Sequence, residues 1–182
     1  YYENCKHPNS PAMRDPNAVI YLIPQVGMIS FAKDKSTARV ASEFYVNAIN
    51  VMRESSGVSS YRGLPEQEAF DIEYWLLEEA KLQRMPPERE FSRKVVVVVG
   101  GASGIGREVA LQIARRGGHV VVADMNVASA EEAAKAAAAL SSKEMVLATA
   151  LDLTSRESMA AAFRATVDRF GGIDAIVNTA AI

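Results

Sequence analysis

Residues Lys94–Val109, KVVVVVGGASGIGREV, decide the fold of this chain. Five consecutive valines without polar alternation predict a strand that is buried on both faces, as in a parallel sheet. The valines run directly into a glycine-rich stretch, and an amphipathic segment follows. A glycine-rich turn between such a strand and a helix lets the backbone approach a pyrophosphate, because backbone N–H groups and the positive end of the helix dipole meet its negative charge. The stretch therefore predicts a dinucleotide-binding turn.

Glycine spacing alone also occurs in structural loops, so a strand–turn–helix without a ligand is the alternative interpretation. Two features favour the dinucleotide site. A second apolar strand, His119–Ala123, ends in Asp124, which stands 18 residues after Gly106, close to where an acidic residue meets the adenosine ribose hydroxyls. The alternation of strands and helices also continues to the end of the chain. Together they predict the first half of a doubly wound α/β domain of the Rossmann type.

Composition excludes several classes of partner. The chain has 182 residues, is 49% hydrophobic and carries a formal net charge of −2. This charge indicates neither a nucleic-acid-binding surface nor a polybasic membrane anchor. Its apolar runs are too short to span a bilayer. The single cysteine, Cys5, excludes an internal disulfide and fits a reducing, cytoplasmic compartment. Because the chain begins with Tyr1 and Ile182 closes a strand, we expect a piece of a longer protein.

The first part of the chain predicts a small α+β segment with two long helices. Ser36 can cap the first helix, and Pro65 stands where a first helical turn tolerates proline. A charged, proline-led linker follows, and we place the domain boundary there: residues 1–86, a linker over 87–93, and a second domain over 94–182. The predicted elements are an irregular Tyr1–Asn17, strands Ala18–Ile23 and Met28–Ala32, and helices Ser36–Arg53 and Glu66–Met85.

The second part predicts a βαβαβαβ order. An alanine-rich stretch indicates one of its helices, and apolar residues four positions apart indicate another. Thr154–Glu157 has the sequence of a capping box. After the valine strand, the predicted elements are helix Gly104–Arg116, strand Val120–Ala123, helix Ser129–Leu140, strand Met145–Ala150, a helix from the capping box to Phe170, and strand Asp174–Asn178.

Four motifs in order resemble the short-chain dehydrogenase/reductase family over Lys94–Ile182. They are Gly100-x-x-x-Gly104-x-Gly106, Asp124, Asp152-Leu153 and Asn178-Thr179-Ala180-Ala181. The chain from Tyr1 to about Met85 resembles the end of a class II aldolase-like domain. The combination is similar to bifunctional rhamnulose-1-phosphate aldolase/alcohol dehydrogenases, in which an aldolase-like domain precedes the dehydrogenase.

The resemblance implies a nicotinamide dinucleotide, NAD(P), as cofactor, and it implies NAD over NADP because the charge of Asp124 would repel a 2′-phosphate. It also implies hydride transfer to or from a hydroxyl or carbonyl of a small, sugar-derived substrate in the parent protein, which would be a homo-oligomer. The implied cofactor-binding residues are Gly100, Ser103, Gly104, Ile105, Gly106, Asp124, Asp152, Leu153, Asn178, Ala180 and Ala181.

Three positions depart from the family pattern. Threonine usually stands where Val99 does, so a hydroxyl that braces the first strand against the turn after the fourth is missing. The usual Asn-Asn-Ala-Gly is replaced at Thr179 and Ala181, and Ala181 adds a Cβ where the backbone should lie close to the cofactor. These departures keep open a non-catalytic nucleotide-binding module as an alternative.

No catalytic or metal-binding residue is predicted in this chain. The family's serine and Tyr-x-x-x-Lys would follow the fourth strand, and we interpret the one Tyr-x-x-x-Lys here, Tyr2–Lys6, as chance. A catalytic zinc takes three protein ligands, and the chain has only His7 and His119. We therefore expect the chain alone to be inactive. A lyase parent whose dehydrogenase half is incidental is the remaining alternative.

Overall fold

A computed structural model describes residues 1–180, so the predictions for Ala181 and Ile182 lie outside the described residues. The chain divides into two compact units. The first comprises Tyr1–Phe31 and Ala41–Pro87, and the second comprises Ala32–Val40 and the chain from Glu88 onward. The change from the first unit to the second at Pro87 and Glu88 falls inside the linker proposed from the sequence. The predicted domain boundaries themselves remain a prediction.

The first unit begins with a short helix and a hairpin. Helix α1 (Tyr2–Cys5) lies in the segment that was expected to be irregular, so that prediction was wrong for these residues. Its buried Cys5 packs with Phe70 and Tyr74, and this tertiary contact stabilises the short helix. Strands β1 (Ile20–Ile23) and β2 (Gly27–Ser30) pair antiparallel and are each shorter than predicted.

The predicted second long helix is interrupted. Helix α2 (Lys35–Val58) extends five residues beyond the predicted end, but the helix predicted over Glu66–Met85 forms two pieces, α3 (Glu66–Glu73) and α4 (Leu76–Gln83). The backbone becomes extended at Trp75. The break follows Tyr74, whose buried ring stacks on Phe70 at 4.6 Å between centroids. Tyr74 and Trp75 have weaker helix propensity than the flanking Leu and Glu, so the break falls where the local preference for helix is lowest.

The second unit holds a parallel sheet of four strands, as the βαβ pattern predicted. The strands lie in the order β5 (Val146–Ala150), β4 (His119–Asp124), β3 (Val95–Val99) and β6 (Ala175–Asn178). Its α/β fold of the Rossmann type is confirmed. In chain order, its elements are β3 (Val95–Val99), α5 (Gly104–Arg115), β4 (His119–Asp124), α6 (Val127–Ala138), a 3-10 turn (Lys143–Met145), β5 (Val146–Ala150), α7 (Arg156–Phe170) and β6 (Ala175–Asn178).

Helices cover both faces of the sheet. On one face Val96 and Val98 pack with residues of α5 and α6, including Ile113. On the other face Val97 and Val99 pack with residues of α7. All five valines of β3 are buried, which confirms the prediction of a strand enclosed on both sides.

Three helix starts differ from the sequence prediction. Helix α2 begins at Lys35, before the predicted cap Ser36, and Asp34 Oδ1 accepts a hydrogen bond from the Thr37 N–H. Helix α6 begins two residues early because the Asn126 side chain accepts a hydrogen bond from the Ser129 N–H. Helix α7 is capped by Ser155, which accepts from the Ser158 N–H. The capping box predicted at Thr154 is therefore wrong by one residue, since Thr154 instead donates to Asp152. Within residues 1–180, no helix is long and apolar enough to cross a membrane.

Candidate functional site

A cavity of about 480 Å³ lies at the carboxyl ends of the parallel strands in the second unit. Strand β3 stands between β4 and β6, so the strand order reverses beside it. In open α/β sheets, this crevice outside the carboxyl ends is where ligands bind. The cavity is lined by Val99, Gly100, Ser103, Gly104, Ile105, Gly106, Asp124, Met125, Leu151, Asp152, Leu153, Thr154, Thr179 and Ala180.

The turn after β3 is anchored on its neighbour β4. The backbone N–H groups of Gly100 and Gly101 both donate to the carbonyl of Ala123, at 2.8 and 3.3 Å. The next N–H, that of Ala102, donates to Asp124 Oδ2 at 3.1 Å. Three successive donors of the turn are therefore used within the protein and hold it in place.

The donors that face the cavity come from the start of helix α5. The helix begins at Gly104, and its first N–H groups have no intrahelical acceptor. The residue before it, Ser103, makes no capping hydrogen bond with its side chain. Since the positive end of the helix dipole adds to these donors, the start of α5 can hold an anionic group such as a phosphate.

The three glycines of the motif serve different purposes. Gly104 has a φ of +53° with open space around the position of a Cβ, so its backbone conformation favours glycine. At Gly106 a Cβ would overlap the Gly100 carbonyl and Thr179 Oγ1. Gly100 combines a φ of +76° with a Cβ position 2.7 Å from the Ala180 backbone nitrogen. Gly100 and Gly106 are thus required by close packing inside the protein, besides any approach of a ligand.

The hydroxyl that Val99 lacks is supplied from the opposite side of the same junction. Thr179, which follows β6, donates its hydroxyl to the Val99 carbonyl at 2.8 Å and lies 3.3 Å from the Gly100 carbonyl. Its backbone N–H also donates to the Val99 carbonyl, at 2.9 Å. Two of the departures noted in the sequence, at residues 99 and 179, therefore occur on opposite sides of one contact.

Asp124 lies half-buried at the end of β4, with one carboxylate oxygen toward each of two backbone donors. Oδ2 accepts from Ala102, and Oδ1 accepts from the Asn126 N–H at 3.0 Å. A carboxylate oxygen can accept more than one hydrogen bond, so both oxygens retain capacity for a ligand hydroxyl. Next to it, Met125 lines the cavity with 72% of its surface exposed.

Asp152 and Leu153 line the same cavity at the end of β5. Asp152 Oδ1 accepts from the Thr154 hydroxyl at 2.7 Å and from the Thr154 N–H at 2.8 Å. These two hydrogen bonds hold the pKa of the Asp152 carboxyl below its usual range, and the one from the hydroxyl has the larger effect. Asp152 is therefore a fixed negative charge at neutral pH.

The residues after β6 fall partly inside the predicted site. Ala180 lines the cavity, but Asn178 does not, and its side-chain oxygen accepts from the Ala180 N–H at 3.2 Å. Asn178 therefore shapes the turn that presents Ala180. The sequence did not assign the lining residues Met125, Leu151 and Thr154 to the site, although each is adjacent in the chain to a predicted site residue.

Both histidines have partners of other kinds. His7 Nε2 lies 2.9 Å from Asp71 Oδ1 on the surface of the first unit. His119 is buried, and its Nε2 accepts from the Lys35 N–H at 3.2 Å. In the described part of the chain, no three His, Cys, Asp or Glu side chains come together as a metal site.

The parallel sheet, the glycine turn at its centre and the acidic residue that ends the neighbouring strand are features of a Rossmann-type unit. Residues 94–182 match the family model for short chain dehydrogenase, and residues 1–82 match that for aldolase class II, second domain. The chain therefore matches the short chain dehydrogenase model over its second part, after a match to the second domain of class II aldolase over its first part. This order confirms the arrangement predicted from the sequence.

Curated relatives share one or both segments. The chain is 38% identical over 163 residues to the uncharacterized oxidoreductase YuxG of Bacillus subtilis, a match that covers 90% of this chain and 24% of the relative. It is 43% identical over 98 residues to the short chain dehydrogenase/reductase astE of Aspergillus oryzae, covering 52% of this chain and 37% of the relative. The YuxG match is too long to fall in either segment alone, so it includes parts of both.

Among solved structures, the apo form of glucose dehydrogenase from Caenorhabditis elegans is 29% identical, with a TM-score of 0.49, and the match covers 50% of this chain and 39% of that chain. The chain spans about a quarter of the length of YuxG, 24%.

Proposed function

We propose that the second unit binds the adenosine and pyrophosphate part of NAD, and that it does so within an NAD-dependent oxidoreductase. The main support for this proposal is that the N-terminus of α5 and the Asp124 carboxylate line the same cavity. The helix start offers N–H donors to the pyrophosphate, and the carboxylate offers acceptors to the adenosine ribose hydroxyls. Leu153 and Met125 supply apolar surface beside them for the adenine.

The residues present fit this cofactor chemically. Gly104 leaves open space at the helix start, where a phosphate needs close approach to the backbone. The Asp124 carboxylate would repel a 2′-phosphate, so it favours a ribose with a free 2′-hydroxyl and therefore NAD over NADP. When bound, the nicotinamide accepts or gives up a hydride. The residues of this chain bind and orient the cofactor, and we assign none of them a proton-transfer role.

For the parent protein we propose a bifunctional aldolase/dehydrogenase that acts on a hydroxyl or carbonyl of a small, sugar-derived substrate. The aldolase class II match over residues 1–82 supports this substrate class and also favours a second candidate, a lyase parent. Assay of the parent for aldol cleavage and for NAD reduction on the same sugar-derived hydroxy compounds separates the two. Cleavage without any NAD reduction would favour the lyase and contradict the dehydrogenase.

We further propose a cytoplasmic location and a homo-oligomeric parent. The one cysteine is a free, buried thiol, which fits a reducing compartment. Fractionation of the source cells and mass photometry of the parent test these two points, and a secreted or monomeric parent would contradict them.

The experiment that tests cofactor binding is a titration of the 182-residue chain with NADH and with NADPH, followed by the fluorescence of the reduced nicotinamide and by calorimetry. We expect NADH to bind more tightly than NADPH and the chain alone to show no turnover. Absence of NADH binding would overturn the proposed site, and equal affinity for NADPH would overturn the preference for NAD.

A further inference from the structure

Thr179 holds a position at which three parts of the second unit meet. Its backbone N–H extends the pairing of β6 with β3 by one residue, and its hydroxyl reaches the carbonyls of Val99 and Gly100. The same oxygen lies against the position that a Cβ on Gly106 would occupy, at the first turn of α5. One hydroxyl therefore contacts the end of β3, the glycine turn and the helix that follows.

This contact holds a peptide group of the turn from its second side. In the peptide between Gly100 and Gly101, the N–H of Gly101 donates to Ala123 at 3.3 Å, which is a long hydrogen bond. The carbonyl of Gly100 points the other way and lies 3.3 Å from the Thr179 hydroxyl. Glycine backbones have many accessible conformations, so a peptide held on one side only could rotate. The hydroxyl limits that rotation.

We propose that Thr179 is a positioning residue for the glycine turn, and that its hydroxyl, which shares its one proton between the Val99 carbonyl at 2.8 Å and the Gly100 carbonyl at 3.3 Å, sets the start of α5 in the orientation that receives a pyrophosphate. This inference rests on the proposed dinucleotide site. Because β3 ends in Val99 rather than in a hydroxyl residue, the brace comes from β6.

The test compares hydroxyl removal at two threonines. Thr179→Val removes the hydroxyl and keeps the branched shape. Thr179→Ser keeps the hydroxyl and removes the methyl group. The matched control is Thr166→Val, because the buried Thr166 hydroxyl also donates to a backbone carbonyl at 2.8 Å, that of Ala162, but lies inside α7 and away from the cavity. The readouts are the NADH dissociation constant and the hydrogen–deuterium exchange of residues 100–106 without ligand.

We expect Thr179→Val to weaken NADH binding by about tenfold, the effect of losing a single positioning hydrogen bond of ordinary strength. Exchange at residues 100–106 should rise in this variant, whereas Thr179→Ser and Thr166→Val should match the unmodified chain in both readouts. Adenosine, which lacks the phosphates, should bind the Thr179→Val and unmodified chains equally well.

Several results would overturn the inference. They are unchanged NADH binding and exchange in Thr179→Val, an equal loss in Thr179→Ser, or an equal loss in Thr166→Val. If Thr179→Val does not fold, Thr179→Ala against Thr179→Ser gives the same comparison, and equal NADH affinity of these two variants overturns the inference. Failure of the proposed function is a separate result: the unmodified chain then binds no NADH, while the exchange comparison still tests the brace.

Discussion

The carboxylate of Asp124 accepts a hydrogen bond from the backbone N–H of Ala102, with 3.1 Å between Oδ2 and the nitrogen. The acidic residue that ends β4 therefore also holds the turn that follows β3. In the proposed site Asp124 has two tasks, one toward the ribose and one toward the turn. Variants at this position have to separate the charge of the side chain from its hydrogen bond.

Asp124→Asn separates them in part, because asparagine loses the charge but keeps an acceptor oxygen for only one of the two backbone N–H groups, those of Ala102 and Asn126. We expect the ratio of NADPH to NADH affinity to rise by about fivefold to tenfold, since the repulsion of a 2′-phosphate by a carboxylate is worth roughly 1 kcal/mol at 4 Å even in bulk water. Competition titrations with both cofactors measure the ratio.

The matched control is Asp168→Asn, which removes an exposed carboxylate on α7 outside the cavity and should leave the ratio unchanged. Asp124→Ala also removes the acceptor for Ala102, so it should weaken both cofactors besides changing the ratio. An unchanged ratio in Asp124→Asn would remove Asp124 from the ribose side of the site.

Gly106→Ala should destabilise the second unit even without a ligand. Its Cβ would overlap the Gly100 carbonyl, and a backbone group cannot move aside as the end of a flexible side chain can. We expect the free energy of unfolding to fall by about 1–3 kcal/mol, the usual range for overpacking, despite the better helix propensity of alanine. Urea unfolding followed by circular dichroism measures the change.

Gly172→Ala serves as the control for Gly106→Ala, because nothing lies within 4 Å of the added Cβ and the backbone there needs no left-handed conformation. Its free energy of unfolding should stay within about 0.5 kcal/mol of the unmodified chain. Equal stability of the two variants would show that the Gly106 position has room to relax.

Thr154→Val should raise the pKa of Asp152 toward its ordinary value. The Thr154 hydroxyl is the largest cause of the lowered pKa, and the variant keeps only the backbone N–H donor. Carboxyl chemical shifts in an NMR titration measure this pKa. Thr149→Val is the control, since the Thr149 hydroxyl contacts the carbonyl of Ala150 and not Asp152. A pKa unchanged by Thr154→Val would mean that the N–H alone sets it.

Local patterns in the sequence predicted most of the second unit. Five valines, a glycine turn and regular helix spacing are patterns of neighbouring residues, and they predicted a parallel sheet with a binding turn after its first strand. The strand order β5-β4-β3-β6 and the cavity come from the structure. Thr154 illustrates where such patterns fail. A serine or threonine followed by glutamate three residues later satisfies the capping rule, but Asp152 competes for the same hydroxyl and N–H, so the cap moves to Ser155.

Contacts between residues far apart in sequence were not predictable. The Thr179 hydroxyl reaches the Val99 carbonyl across 80 residues, so inspection of position 99 alone indicated a missing brace where the structure has one. Tyr74, where the second predicted helix breaks, is likewise packed by a distant residue, since its ring lies 5.1 Å from that of Tyr2 between centroids. Neither contact follows from a local pattern in the sequence.

The buried His119 gives the second unit a pH dependence. Its Nε2 accepts from the Lys35 N–H at the start of α2, and its Nδ1 lies 3.3 Å from the Lys94 carbonyl, so the neutral ring with a proton on Nδ1 satisfies both contacts. Burial is the largest cause that lowers the pKa of His119, and Lys35 adds to it. The Lys94 carbonyl, Asp34 and Asp174 act in the opposite direction. The net direction is downward.

A folded-state pKa below the unfolded value of about 6.5 means that the unfolded chain binds more protons in that interval, so stability is complete above pH 6.5 and falls as the pH drops below it. Urea unfolding between pH 8 and pH 5.5 should show this fall in the unmodified chain and less of it in His119→Gln. His7→Gln, at the exposed histidine beside Asp71, should follow the unmodified chain. Parallel curves for His119→Gln and the unmodified chain would contradict the assignment. So would an NMR titration that places the pKa of His119 at or above 6.5, because the ring would then carry its proton as readily in the folded chain as in the unfolded one.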